Sequence, residues 1–261
     1  MLSDQMRLAI TAARRAGEVI MTHYKSSDDF SLKLDGSPVT RADQAAHQVI
    51  TETLIQSVYP MVSEEGSDLL IDAKAYWLVD PLDGTKDYLA GNDEFTVNIA
   101  LVIEHQPVLG VVYAPALDTL FAGEQGAAWY EKNGLRVDCR RVERRQQLRM
   151  AVSRFHDHPD VDVFARLNAV TQRVPMGSAL KYGCLATAEV DVFPRLVGCS
   201  EWDTAAGQAI VEAAGGQVLV WGSDQPLLYG KAGRRNPRLL SFRAPYLADE
   251  FQMMRYETSI V

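Results

Sequence analysis

Trp77-Leu78-Val79-Asp80-Pro81-Leu82-Asp83-Gly84-Thr85-Lys86-Asp87 decides how this chain is read. Trp77 to Val79 is a short apolar run of the kind that makes a buried strand. Pro81 lacks an amide donor and Gly84 favours a turn, so the strand is expected to stop at Asp80. Both carboxylates, and with them the Leu82 carbonyl, are then presented at one sheet end. Hard oxygen donors gathered this way suit Mg2+ or a similar divalent ion. A pair of aspartates that merely closes a turn is the plain alternative.

On either side of this stretch the chain is ordinary in composition. Its 261 residues allow one large domain or two compact lobes with proper cores. A hydrophobic content of 47% and a charged content of 23% are those of a globular protein. The formal net charge of -8 argues against a groove for a nucleic-acid polymer, which needs a basic footprint. It leaves room for small phosphorylated substrates, because bound cations invert the sign of a local site. Cys139, Cys184 and Cys199 are odd in number and form no CxxC pair, as expected in a reducing cytosol. Asp4, Arg7, Arg14, Arg15 and Glu18 interrupt residues 1–24, which therefore read as neither signal peptide nor membrane span. No other run is long enough to cross a bilayer.

Met6, Ile10, Ala13, Gly17, Ile20 and Tyr24 mark one face of a first helix, with Arg14, Arg15 and Glu18 outward. Ser26 to Gly36 reads as a loop or hairpin. A second helix follows Thr40, with Ala46, Val49, Ile50, Leu54 and Val58 as its buried stripe and Tyr59-Pro60 as its end. Asp43 lies in the first turn, where a negative charge is favourable on electrostatic grounds alone. Met61 to Glu64 is a short strand running into a turn. Phe95–Ile103, Val108–Tyr113, Leu120–Ala122 and Ala127–Tyr130 are four further strands, spaced as an antiparallel meander.

Arg140, Arg141, Arg144, Arg145 and Arg149 form a basic run without aromatic interleaving, read as a solvated linker between two lobes. Beyond it, Met150–Ser153, Val190–Leu196 and Gln217–Trp221 read as strands. Val161–Val170, the stretch from Lys181, and Asp203–Ala214 read as helices, the last ended by Gly215-Gly216. The class is α/β, with an N-terminal α+β lobe over residues 1–139 and a C-terminal α/β lobe over 150–261 sharing one catalytic unit.

Asp203 is placed to be an N-cap or first-turn residue of the last helix, and capping alone would explain it. Yet Glu64, Asp80, Asp83 and Asp203 share one feature: each lies where a regular element begins or ends. Four acids brought together repel unless cations sit between them. Two bridged divalent ions would resolve that repulsion and make a phosphoryl-transfer site. Gly84-Thr85-Lys86 would then cover the phosphate with backbone amides, and the Thr85 hydroxyl could orient a water. No Ser-His-Asp or Cys-His arrangement, P-loop or GxGxxG offers a competing chemistry.

Three motifs carry a resemblance: Ser63-Glu64-Glu65-Gly66, the run from Trp77 to Tyr88, and Glu201-Trp202-Asp203-Thr204-Ala205-Ala206-Gly207. In order and separation they resemble the metal-site signatures of the inositol monophosphatase superfamily, over nearly the whole chain. Lys86, Phe95-Thr96-Val97-Asn98-Ile99-Ala100-Leu101 and Gly110-Val111-Val112-Tyr113-Ala114-Pro115 are similar to its 3'(2'),5'-bisphosphate nucleotidase branch. Ser153-Arg154-x-His156, Gly177-Ser178-Ala179-Leu180-Lys181 and Phe193-Pro194-Arg195 add to it. The chain departs from that branch at Ala179, where a second Ser is usual, and at Glu189 and Phe155.

The resemblance implies a layered αβαβα sandwich of the inositol monophosphatase and fructose-1,6-bisphosphatase type. It implies removal of the 3'-phosphate from 3'-phosphoadenosine 5'-phosphate by in-line attack of a metal-activated water, with two or three Mg2+ ions per site. By position, Glu64, Asp80, the Leu82 carbonyl, Asp83 and Asp203 would hold metal. Asp43, Glu64 and Thr85 would activate the water. Gly84, Thr85, Lys86, His156, Ser178, Lys181, Arg195 and Asp203 would surround the substrate. Plain readings stand beside these: His156 and His158 as a surface pair, Lys181 as a helix-face charge, Arg195 snorkelling at a strand end.

Inositol phosphates or fructose 1,6-bisphosphate are the alternative substrates. A non-catalytic sensor of Mg2+ and nucleotide would share the acids but have no use for Asp43 and Thr85. Li+ inhibition is a trait the resemblance implies. A cytoplasmic location is expected; some bacterial relatives lie at the inner face of the cytoplasmic membrane, but no amphipathic anchor stands out here. A homodimer is compatible with the sequence, which does not fix the oligomeric state.

Overall fold

The computed structural model of the protein describes residues 3–25, 30–32, 38–66, 73–155 and 158–254. The decisive stretch lies in β4 (Ala75–Asp83), the second strand of a seven-stranded sheet. Its other members are β3 (Met61–Ser63), β5 (Thr96–Ile103), β6 (Gln106–Ala114), β7 (Thr119–Glu124), β8 (Ala127–Lys132) and β9 (Leu135–Asp138), hydrogen-bonded in chain order. β3 runs parallel to β4 and every later pairing is antiparallel, so the expected meander is present. Ahead of the sheet, β1 (Phe30–Leu32) pairs antiparallel with β2 (Pro38–Thr40); the rest of the Ser26–Gly36 loop lies outside the described residues.

Two helices cover one face of this sheet. α1 (Asp4–His23) begins at Ser3, whose hydroxyl accepts the Met6 amide. α2 (Arg41–Leu54) ends before Tyr59-Pro60. Val58, expected in its buried stripe, is 89% exposed, because the helix stops a turn earlier and the phase of the stripe is lost. Met6, Ala13, Ile20, Ala46 and Ile50 pack with Trp77, Val79, Ile99 and Val111 of the sheet.

The other face packs against α5 (Leu180–Ala186) and α6 (Ala205–Ala213), and through them against a second sheet. This sheet has the order β11-β10-β12-β16-β14, with β10 (Arg149–Ser153), β11 (Gln172–Met176), β12 (Val192–Arg195), β14 (Gln217–Val220) and β16 (Leu239–Phe242). Alternation along its strands serves two cores at once: Ala151, Phe193 and Leu239 face α5 and α6, while Met150, Val192 and Leu240 face α4 (Asp160–Leu167). A two-stranded ribbon of β13 (Cys199–Ser200) and β15 (Arg235–Asn236), and the short α3 (Thr85–Ala90), complete the elements that matter for the site. Helix, sheet, helix, sheet, helix is the αβαβα layering expected.

The basic run joins β9 to β10 without regular structure, but it is not simply solvated. Arg144 bridges Glu250, and Arg145 meets the fully buried Asp191, which also takes the Arg243 guanidinium at 2.6 Å. Asp191 and Glu250 are far away in the chain, so the run gives no hint of these partners.

α6 lies against β6 where Gly110 leaves room for it. A Cβ on Gly110 would sit 2.2 Å from the Ala206 carbonyl oxygen, and helix backbone cannot swing aside as a side-chain tip can. Gly110→Ala is therefore expected to cost about 1–3 kcal/mol or more in a urea titration. An unchanged midpoint would mean that α6 does not rest on β6 in this way.

Candidate active site

β4 does not stop at Asp80. After an irregularity between Asp80 and Asp83 the pairing with β5 resumes, Asp83 opposite Thr96. The missing amide of Pro81 is tolerated because β3 pairs β4 only as far as Val79, leaving that edge unpaired beyond it. The bulge still does what the expected stop would have done: it turns the acids out at the sheet end. Asp80 Oδ1 accepts the Leu82 amide at 3.2 Å, and Asp83 is held by the Asn98 side chain at 3.1 Å. Gly84 follows at φ 89°, in the left-handed region, and starts α3.

Glu64 stands just past β3, its amide bonded to the Val79 carbonyl at 3.1 Å. Asp203 arrives from the second half of the chain. It is not the N-cap of α6, which is Thr204; instead its carboxylate takes the Ser200 amide at 2.9 Å and the Arg195 guanidinium at 3.4 Å. The preceding Glu201 is fully buried and accepts from the Gly230 and Lys231 amides and from Arg234. That network fixes the turn from which Asp203 projects.

Glu64, Asp80 and Asp203 each offer an oxygen within 4.8 Å of the other two. Asp83 lies outside this group of three but lines a cavity together with Glu64 and Asp203. Burial, then the charges of Glu64, Asp83, Asp203 and Asp43, push the Asp80 carboxyl well above the usual carboxylate range. Burial also raises Asp203 to about 7, with Arg195 opposing and Asp83 and Glu64 adding. Acids crowded this closely favour the ionised state only with cations among them, and all the donors are hard oxygens. The residues fit a divalent cation such as Mg2+.

Asp43 is buried at the start of α2, where it takes the Thr40 amide at 2.7 Å and the Thr40 hydroxyl at 2.6 Å while Thr40 caps the helix. The Thr85 hydroxyl donates to the Leu82 carbonyl at 3.5 Å. Beside the acids lies a cavity of about 450 Å³ lined by Gly84, Thr85, Lys86, Ser178, Lys181 and Arg195, among others. Ser178 sits at φ 46° with its hydroxyl buried and unpaired among the described residues. Lys181 is buried; its ammonium donates to the Met176 carbonyl at 3.1 Å. Burial, with Arg195 nearby, lowers it to about 8, against the pull of Asp83, Asp87 and Glu94. His156 lies outside the described residues.

The cavity holds groups that sequence reasoning left without a role. Arg154 forms a forked pair with Glu94 at 2.7 and 3.1 Å, and Glu94 also takes the Gly177 amide at 2.7 Å. One carboxylate thus ties the end of β10 and the loop carrying Ser178 to the first sheet. Arg154 belongs to a motif quoted above, but Glu94, 60 residues away, has no signal beyond its place ahead of a strand.

The inositol monophosphatase family matches residues 1–243. The 3'(2'),5'-bisphosphate nucleotidase CysQ of Salmonella typhimurium is 41% identical over 216 residues, 80% of this chain and 87% of that protein. The Nus factor SuhB of Pasteurella multocida is 34% identical, covering 96% of this chain and all of that one. Among solved structures, CysQ from Bacteroides thetaiotaomicron, a bacterial member of the same family, superposes with a TM-score of 0.82 at 33% identity, over 92% of this chain and 97% of the other. A match of this extent, joined to the acids gathered at the end of β4, makes the chain a member of the inositol monophosphatase family.

Proposed function

We propose that the protein is a Mg2+-dependent phosphatase that removes the 3'-phosphate of 3'-phosphoadenosine 5'-phosphate, giving AMP and phosphate. The observation that carries this reading is the adjacency, in one cavity, of the acidic cluster and the cations Lys181 and Arg195. A substrate with a single phosphate needs only the acids; one with two phosphates also needs positive groups in the same cavity. The similarity to relatives called bisphosphate nucleotidases supports the same choice.

In this reading Glu64, Asp80, the Leu82 carbonyl, Asp83 and Asp203 hold the metal. Bound there, it would lower the pKa of the attacking water and neutralise charge on the phosphate. The Gly84 and Thr85 amides hold the scissile phosphate, with Lys86 at the rim. Asp43, Glu64 and Thr85 orient the water, and Asp43 is kept in place by Thr40. Ser178, Lys181 and Arg195 hold the nucleotide, with His156 added by its position in the motif.

The test is phosphate release with Mg2+ from 3'-phosphoadenosine 5'-phosphate, inositol 1-phosphate, fructose 1,6-bisphosphate and 5'-AMP side by side. A preference of at least about 10-fold in kcat/KM for the first is expected, roughly 1.4 kcal/mol of discrimination. Preference for inositol phosphate or the sugar would discard the nucleotide assignments. Silence on all four, with metal bound, would favour a binding protein without turnover.

A further inference from the structure

β9 is one of the two edges of the seven-stranded sheet, opposite β3: among the described residues no strand pairs beyond it, and all four of its residues are exposed. An open edge is a template for another strand. The question is what this edge selects.

Its backbone answers in part. β8 and β9 are joined by Asn133-Gly134, with φ values of 50° and 74°, a two-residue hairpin turn. In such a hairpin the flanking Lys132 and Leu135 bond to each other, and bonded pairs then recur at every second position. Val137 opposite Tyr130 is the next bonded pair, and the Cys139 amide, donating to the Ala128 carbonyl at 2.8 Å, continues the series. Leu135, Val137 and Cys139 therefore spend their backbone groups inward. Arg136 and Asp138 point theirs out to the free edge.

The side chains answer the rest. Arg136 and Asp138 share the face that carries Trp129, over whose ring the Arg136 guanidinium lies at 4.0 Å. Leu135, 73% exposed, and Val137, 44% exposed, share the opposite face, where Val137 lines a shallow groove with Tyr130, Cys139 and Val142. Pairing one copy of β9 with another about a two-fold axis allows three registers that use the outward groups. Centring on Arg136 sets arginine against arginine, and centring on Asp138 sets aspartate against aspartate. Centring on Val137 sets Arg136 against Asp138 of the second copy, twice. Each of those pairings exchanges two backbone bonds and one pair of opposite charges. On the other face it brings Val137 against Val137 and Leu135 against Cys139.

We infer that β9 is a self-association edge, and that two copies of this chain join through it into one continuous sheet with Val137 on the two-fold axis. Edge charges ordinarily repel a second copy because like meets like; here the order Leu-Arg-Val-Asp is complementary to its own reverse. This edge lies on the far side of the sheet order from β3 and β4, so association and turnover are separable.

The test uses the full chain. Sedimentation from about 1 to about 200 µM should show a monomer–dimer equilibrium, as expected of a small interface. Arg136→Asp should abolish the dimer, and Arg136→Asp with Asp138→Arg should restore it, while phosphatase activity stays at the wild-type level in both. In a Cys139→Ser background, Val137→Cys should form an intermolecular disulfide under mild oxidation, because opposed non-bonded positions lie about 4.5 Å apart at Cα. A chain that stays monomeric throughout overturns the inference. So does a dimer indifferent to Arg136→Asp, or one in which the cysteines at 137 fail to join.

Discussion

Asp80→Asn is expected to lower turnover of any phosphate ester by on the order of 10³-fold or more, while making the metal-free protein more stable. The two effects have one cause. Asp80 is 1% exposed and faces Glu64, Asp83, Asp203 and Asp43, so without a cation its negative charge works against the fold. Asparagine keeps the size of the side chain and an oxygen for the Leu82 amide, so the bulge after Asp80 persists. In EDTA the variant should therefore gain roughly 1–3 kcal/mol, the scale on which an uncompensated buried charge weighs. Added Mg2+ should stabilise the wild type, by about 2.7 kcal/mol at 100 times the dissociation constant, and leave the variant nearly unmoved. Thermal melts with and without Mg2+, beside a phosphate-release assay, read all of this. Turnover within tenfold of wild type, or a variant less stable in EDTA, would remove Asp80 from the metal site.

Asp80 also shows where sequence stops being informative. That acids cluster at the end of this strand was legible, because Pro81 and Gly84 have local consequences. That the strand survives the proline was not, since it depends on β3 leaving one edge of β4 unpaired while β5 holds the other. The stripes of α1 and α2 were legible for the same local reason, except at Val58, where the end of the helix and not the period decides exposure. Asp203 was legible as an acid at a boundary, but its partners are Ser200 and Arg195 and not the helix it precedes. Arg154 and Glu94 meet only because two sheets pack face to face through α5 and α6; no spacing in the chain encodes that distance. The αβαβα layering is a case between these. Strands β10, β12, β14 and β16 of the second sheet carry apolar residues on both faces, which told of burial but not of what would lie on either side.

Lys181→Met should separate the two ends of the cavity. Its ammonium is buried; among the described residues it donates to the Met176 carbonyl and lies over the Phe193 ring at 5.4 Å, so a bound phosphate would take its remaining donors. Removing a buried charge-assisted contact costs about 2–5 kcal/mol. For a bisphosphate substrate, kcat/KM is thus expected to fall by roughly 10². A monophosphate that reaches only the acidic end should lose about threefold or less, since it gains nothing from that ammonium. Protonation supplies an independent reading. With the amine lowered to about 8, it is charged below that pH and neutral above it. The wild-type kcat/KM for the bisphosphate should therefore decline as pH rises through about 8, and that decline should be missing in Lys181→Met. Equal losses on both substrates, or a decline that the variant retains, would mean that Lys181 supports the fold of α5 and not the second phosphate. The distinction matters because the amine is held near neutrality by burial: an anion bound beside it would draw a proton back. Binding of the bisphosphate near pH 8 should then take up protons, which calorimetry in two buffers measures directly.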